Sequence, residues 1–187
     1  MTIFEYISVI ISILLSLGIA HLLSRLPDVF DRQRSYWIHA SWVVVLLGLL
    51  PGHWWMFWNY RDVSWTAFSF LYAIASPGIL FLLVSVLVPR ESDEVDSWRD
   101  FFFGVRSSFF GLQIVFFLPI SGQLTVILGL PLLHPLRALH ALFIGLAALG
   151  AYSASERTHA VLLASWLLAA LVAGGWLLAG PASLPGL

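Results

Sequence analysis

The sequence predicts an all-α polytopic membrane protein, a bundle of six transmembrane helices in one domain. Of the 187 residues, 60% are hydrophobic and only 10% are charged, and the mean hydropathy is +0.92. A soluble domain carries about 25% charged residues. Six apolar stretches each reach the length of about 20 residues that crosses a bilayer as a helix. They are expected to span residues 3–24, 36–58, 65–88, 101–121, 131–152 and 158–179.

The first span is expected to be a retained helix and not a cleaved signal peptide. No basic segment precedes its apolar run, and no small-residue cleavage site follows it. Its polar residues recur every three or four positions, so they share one helix face. Such a face is typical of a seam between packed helices. The alternative is a polar pathway entered at its carboxylate, which lies near the membrane surface. The stripe consists of Glu5, Ser8, Ser12 and Ser16.

Proline interrupts the second and third spans, as Pro51-Gly52 and Pro77-Gly78. A proline leaves one backbone carbonyl without its helical donor. Each site is therefore expected to be either a packing kink or a break that lines a cavity.

The connection between the second and third spans, with the residues beside it, forms a rim dense in aromatic and polar side chains. This composition is typical of the belt at a membrane surface. The alternative is a vestibule in which arginine and tryptophan faces receive a ligand. The vestibule candidates are His53, Trp58, Arg61, Asp62 and, just below them on the third span, Tyr72.

The fourth span carries Arg99, Arg106 and Gln113 seven residues apart, so they stack on one helix face. Two interpretations of Arg106 stay open: a structural one, in which its side chain extends back to the surface or pairs with a neighbouring group, and one in which it faces a pore. Gln113 lies deeper and needs a partner from another helix or from water. Residues 122–130 are expected to extend this helix, to lie at the interface or to re-enter the membrane.

His140 lies about two and a half turns inside the fifth span and is the deepest histidine. It is the best candidate for a titrating group in a polar pathway between helices. The last two spans are rich in glycine and alanine at spacings that favour close packing of helices. The candidates for a transport pathway are Glu5, Ser12, Arg106, Gln113 and His140.

Histidines also suggest a haem alternative. His39 and His53 lie fourteen residues apart on the second span, with His21 and His134 expected at matching depths. The spacing is similar to that in helices of the cytochrome b type, which implies haem b held by His21 with His39 and by His53 with His134. A cytochrome b arrangement needs a second helix with the same spacing. It is missing here, because the residue fourteen positions after His140 is Ala154. Isolated histidines near helix ends are otherwise hydrogen-bonding or pH-sensitive groups.

Arginine placement predicts the orientation. The odd-numbered connections hold six arginines and the even-numbered ones hold Arg61, which places the odd connections in the cytoplasm and both termini outside. The expected location is the bacterial cytoplasmic (inner) membrane. The six arginines are Arg25, Arg32, Arg34, Arg90, Arg99 and Arg157.

Composition and motifs exclude several functions. The chain has no cysteine, and its formal net charge of -1 without a basic run disfavours nucleic acid. It carries no nucleophile elbow, metalloprotease motif or phosphate loop, so an enzyme is not favoured and no metal site is expected. The leading hypothesis is a small channel or transporter for an ion or small solute, without a cofactor, that forms a homo-oligomer in the lipid bilayer. The alternatives are the haem protein and an accessory or sensing protein whose partner docks on residues 25–35 or 89–100.

Overall fold

The structure is a computed structural model that describes residues 2–179, with side chains described through Gly175. This part of the chain is all-helical, and its six long helices are apolar enough to cross a membrane, which confirms the predicted fold class of a multi-pass membrane protein. Short 3₁₀ turns cover Trp58–Tyr60 and Ser92–Glu94. The helices are α1 (Ile3–Val29), α2 (Trp37–Phe57), α3 (Ala67–Leu87), α4 (Trp98–Val126), α5 (Pro135–Tyr152) and α6 (Glu156–Ala179).

Two helices are longer than the sequence predicts. α1 continues past position 24 to Val29 with Pro27 inside it, and α4 continues past position 121 to Val126. Of the segment 122–130, residues 122–126 therefore extend the fourth helix, which was the first of the three alternatives for this segment. The helix ends at a turn in which Gly129 has φ +66°, a left-handed conformation that glycine adopts without strain. α5 begins at Pro135 instead of position 131, because proline is well suited to the first turn of a helix.

The helices form a closed ring in which α1 is followed by α3, α4, α5, α6 and α2, and α2 packs again on α1. α2 also contacts α3 and α4 across the ring. Chain direction alternates, so the connections lie on two faces. We call the face formed by residues 30–36, 88–97 and 153–155 the odd-loop face. The opposite face, formed by residues 58–66 and 127–134, is the even-loop face.

Side-chain caps fix several helix starts. Thr2 and Glu5 form a reciprocal capping box on α1, in which the Thr2 N–H donates to Glu5 Oε2 at 2.9 Å. Thr66 and Ser69 form a similar box on α3, and the Ser97 hydroxyl accepts the first-turn N–H of α4. These bonds satisfy donors that a helix start leaves without intrahelical partners.

The odd-loop face is tied together by Arg34. Its guanidinium donates to the carbonyls of Asp93 at 2.8 Å and Val95 at 3.0 Å, which joins the first and third connections. It also pairs with Asp31 at 3.0 Å. Hydrogen bonds from the Gln33 N–H and from Arg34 hold the pKa of Asp31 below its ordinary value.

Asp28 links the same two connections. Its carboxylate accepts the Ser92 hydroxyl at 2.6 Å, and its carbonyl accepts the Trp98 indole N–H at 2.8 Å. The two segments proposed from sequence as docking sites for a partner, residues 25–35 and 89–100, are therefore joined to each other by hydrogen bonds.

Aromatic side chains fill the odd-loop half of the bundle interior, and we call this group the aromatic plug. The Trp42 ring lies 5.4 Å from Phe109, 5.5 Å from Phe110 and 5.7 Å from Trp166 in edge-on contacts. Such pairs gain about 0.5–1.5 kcal/mol beyond the burial of their area. The plug consists of the buried side chains Trp42, Phe102, Phe109, Phe110 and Trp166.

Candidate solute-binding cavity

A cavity of about 220 Å³ lies between α2, α3, α4 and α5 in the even-loop half of the bundle. Asn59, Tyr60 and Leu128, which belong to the two even-numbered connections, line its end towards the even-loop face. His140 reaches it from the second turn of α5, about 8 Å from the start of that helix. The cavity thus lies below the even-loop face and above the aromatic plug. Its other lining residues are Leu49, Gly52, His53, Met56, Phe57, Ala73, Ser76, Phe116, Phe117, Ile120, Gln123, Leu124, Leu136, Leu139 and Phe143.

One polar contact in the cavity joins α2 to α3. His53 Nε2 and the Ser76 hydroxyl lie 3.2 Å apart, within hydrogen-bonding distance. The Ser76 hydroxyl also lies 3.3 Å from the Ala73 carbonyl one turn earlier. Ser76 precedes the Pro77 of α3, and its side chain is buried, so this contact is held within the helix interface.

A second polar group sits where α4 passes the second connection. The Tyr60 hydroxyl donates to Gln123 Oε1 at 3.0 Å, and Gln123 Nε2 donates to the Tyr72 carbonyl at 2.9 Å. The Tyr72 hydroxyl in turn donates to the Pro119 carbonyl at 2.9 Å. Gly122 leaves room for this hydroxyl, because a Cβ at that position would overlap it. These bonds fix the wall of the cavity formed by α3 and α4.

His140 lines the cavity with a ring whose Nδ1 lacks a hydrogen-bond partner among the described residues. Its side chain is 9% exposed, and Nδ1 bonds to no atom of the described residues. The ring lies 5.7 Å from Phe117. A buried nitrogen without a partner costs about 1–3 kcal/mol.

The other pathway candidates lie outside the cavity. Glu5 caps the exposed start of α1. Ser12 lies on the outward side of that helix, where it donates to the Ser8 carbonyl and accepts the Trp54 indole N–H at 2.8 Å. Gln113 is buried in α4 without lining the cavity, and its Oε1 bonds to no described residue.

Arg106 anchors the turn between α5 and α6. Its Nε donates to the Ser153 carbonyl at 3.1 Å, and Nη1 donates to the Phe103 carbonyl one turn earlier. His159 Nε2 donates to the same Ser153 carbonyl at 2.9 Å. Ser107 adds a bond to the Ala151 carbonyl. The guanidinium thus satisfies carbonyls at the C-terminal end of α5, which agrees with the structural interpretation of this residue.

The vestibule candidates are divided between the cavity and the surface. His53 lines the cavity, whereas Tyr72 lies behind the wall formed by α3 and α4. Arg61 pairs with Asp62 at 3.1 Å, and its guanidinium lies 5.6 Å from the centre of the exposed Trp58 ring. An exposed ion pair of this kind contributes about 0–1 kcal/mol.

The histidines do not fit a haem. His21 Nε2 lies 2.8 Å from the Val88 carbonyl and His39 Nε2 lies 2.9 Å from that of Leu87. A carbonyl only accepts hydrogen bonds, so both nitrogens carry a proton instead of a lone pair for iron. His39 is also fully buried, with one face of its ring stacked on Trp98 at 4.4 Å.

The second histidine pair does not meet in one space either. His53 lines the cavity, but His134 does not, and its Nδ1 accepts the Leu136 N–H at the start of α5. Among the described residues there is no group of three or more His, Asp or Glu side chains that could hold a metal ion.

Sequence reasoning missed Gln123 as part of the site. The predicted fourth span ended before Gln123, although an isolated glutamine in the apolar segment 118–130 is a signal for a satisfied polar group inside a helix bundle. Comparisons of the chain with protein-family models, with curated proteins and with solved structures find no match.

Proposed function

We propose that this chain is a small membrane transporter that binds an uncharged solute in the cavity. His140 carries the proposal, because its ring lines a cavity between four membrane-spanning helices and its Nδ1 has no described partner. Ligand pockets are typically apolar with a few polar groups that orient the ligand. Here His53, Ser76 and Gln123 are the other polar groups.

The packing of the bundle supports a transporter over an open channel. The cavity lies in the even-loop half, and the aromatic plug fills the odd-loop half with side chains that are at most 7% exposed. A solute that crosses the protein must therefore wait for the helices to move. Binding near the middle of the membrane, followed by opening to the other side, is the mode of action of many secondary transporters.

The lining of the cavity supports an uncharged solute over an ion. None of the described residues that line it is Asp, Glu, Lys or Arg. Removing an ion from water costs several kcal/mol, which an opposite charge in the site would have to offset.

The arginine distribution supports an odd-loop face in the cytoplasm and both termini outside, in a bacterial inner membrane. The small size of the bundle supports a homo-oligomer. α1 offers an outward surface for it, with Val9 54%, Ile13 56% and Leu17 54% exposed.

The absence of cysteine from the sequence allows a direct test of transport, because a single introduced thiol is the only one. We expect the variant Ser76→Cys in sealed vesicles to react with a membrane-impermeant methanethiosulfonate reagent from the even-loop face. It should also react from the odd-loop face, at a rate at least about ten times lower, because that route requires the aromatic plug to open. Vesicles of both orientations separate the two rates.

The matched control is Ile13→Cys, which places a thiol on the outer side of α1 about 15 Å from the start of that helix, against about 14 Å for Ser76 on α3. It should react from neither face, because its side chain points to lipid. A Ser76→Cys thiol that never reacts from the odd-loop face, in vesicles where a surface cysteine does react, would refute alternating access.

A further inference from the structure

We infer that the solute is an uncharged amphiphile that enters the cavity sideways from the bilayer, with its head group in the cavity and its tail in a groove between α2 and α6. The inference rests on the proposed transport function and adds the chemical class of the solute and its route.

The groove lies on the outer side of the ring and has a volume of about 1170 Å³. Its wall includes Val44 and Trp55, which are 54% and 57% exposed, so it is open to the surroundings of the bundle. None of the described residues that line it carries a formal charge. At this depth in a six-helix membrane bundle the surroundings are lipid, and an apolar tail matches both the groove and the lipid.

The groove and the cavity share a wall. Leu49, Gly52, Met56, Phe117 and Phe143 line both. The wall is thinnest at Gly52, because a Cβ built on this residue would meet no atom within 4 Å. A side chain is therefore missing where the two spaces meet, and the flexible Met56 lies one turn away. Head group and tail of one molecule can occupy the two spaces at once.

The chemistry of the cavity selects the head group. His140 suits a hydroxyl or amide group, because an imidazole nitrogen can donate to or accept from either. A charged phosphate or carboxylate would find no counter-ion among the described residues that line the cavity. The cavity volume of about 220 Å³ is below the 300–1,000 Å³ typical of sites for whole drug-sized ligands. It suits a head group of the size of glycerol. Each hydroxyl resists transfer into hydrocarbon by about 2–7 kcal/mol, which gives such a lipid a reason to cross through a protein.

The test uses a monoacylglycerol with a diazirine on its acyl chain, added to the full chain in lipid nanodiscs. Irradiation and peptide mass spectrometry should locate saturable labelling on α2 and α6, which line the groove, and an excess of unlabelled monoacylglycerol should reduce it. Gly52→Phe should lower this labelling about tenfold, because the new side chain closes the shared wall. Gly78→Phe is the matched control, since Gly78 also follows a helical proline and also has no atom within 4 Å of its Cβ position. It should change labelling by less than about twofold.

Head-group recognition is tested with His140→Phe, which keeps a ring but removes the nitrogens. It should weaken competition by unlabelled monoacylglycerol about fivefold, the loss of one hydrogen bond. A fatty-acid probe with the same chain, charged at pH 8, should label the shared wall no more than the rest of the helix surface.

Labelling that is equal in Gly52→Phe, Gly78→Phe and wild type would overturn the amphiphile route. If Ser76→Cys still reacts from both faces in that case, transport stands and only the solute class fails. Saturable labelling combined with a thiol that reacts from one face alone would instead leave a lipid-binding protein and overturn the transport function.

Discussion

Replacing Gly150 with alanine is expected to destabilise the bundle by about 2–3 kcal/mol, the upper range for overpacking a core. A Cβ at this position would lie 2.8 Å from Cδ1 and Cε1 of the Phe110 ring, much closer than carbon atoms approach. Phe110 cannot yield easily, because it is 1% exposed and its ring is held between Trp42 and a stacked His159 at 5.4 Å. Gly150 is thus the position where α5 approaches α4 most closely around the aromatic plug.

The measurement is thermal or denaturant unfolding of the purified protein in detergent, with Gly145→Ala as the control. Gly145 lies on the same helix, and no atom lies within 4 Å of its Cβ position. Because alanine favours a helix over glycine, this control should be neutral or slightly more stable, by up to about 1 kcal/mol. Equal stability of the two variants would show that Gly150 and Phe110 are not packed as described.

Replacing Arg106 with leucine is expected to cost about 2 kcal/mol. Hydrogen bonds from a charged donor are worth about 1.5–3 kcal/mol, and Arg106 donates to both the Ser153 and Phe103 carbonyls. Ser153 would keep only the His159 bond among those described, so the turn between α5 and α6 would loosen. Leucine retains most of the apolar contact of the arginine side chain, so the measured change reports the loss of the guanidinium hydrogen bonds.

Arg99→Leu is the control for this experiment, two turns earlier on the same helix face. Its side chain is 55% exposed and pairs with Glu156 at 3.5 Å, an arrangement worth less than about 1 kcal/mol. Unfolding should therefore be shifted much more by Arg106→Leu than by Arg99→Leu. If the two shifts are the same size, Arg106 does not anchor the turn and its pore-facing interpretation regains weight.

Composition alone was enough to predict the six helices, because in hydrocarbon the backbone has few alternatives to a helix. Helix ends were predicted less well, since α1 continues to Val29 and α4 to Val126, past the predicted ends at positions 24 and 121. In α4 the tertiary contacts of Gln123 and Tyr72 hold the segment after Pro119. Such contacts depend on which helices become neighbours, and the sequence of one helix does not contain that information.

The candidate site shows the same limit. His140 and His53 were singled out because a polar group inside the membrane is expensive, and both line the cavity. Glu5 was singled out on the same ground but caps α1, and the spacing of Thr2 and Glu5 is the local signal of that role. His21 and His39 lie side by side at the end of α3, yet their nitrogens point to carbonyls, and side-chain direction is set by packing. The depth of a residue in the membrane can be predicted from a sequence. The direction of its side chain depends on which helices pack around it, and the sequence does not give that packing.

Movement of an uncharged amphiphile across the bilayer through the cavity is tested most directly in proteoliposomes. A fluorescent monoacylglycerol, tagged on its acyl chain with a nitrobenzoxadiazole group, is placed in both leaflets, and dithionite added outside destroys the fluorescence of molecules as they reach the outer leaflet. Wild type and Gly78→Phe should transfer the inner-leaflet pool about tenfold faster than protein-free liposomes, and Gly52→Phe should not exceed the protein-free rate. A wild-type rate equal to that of protein-free liposomes would contradict this function of the cavity.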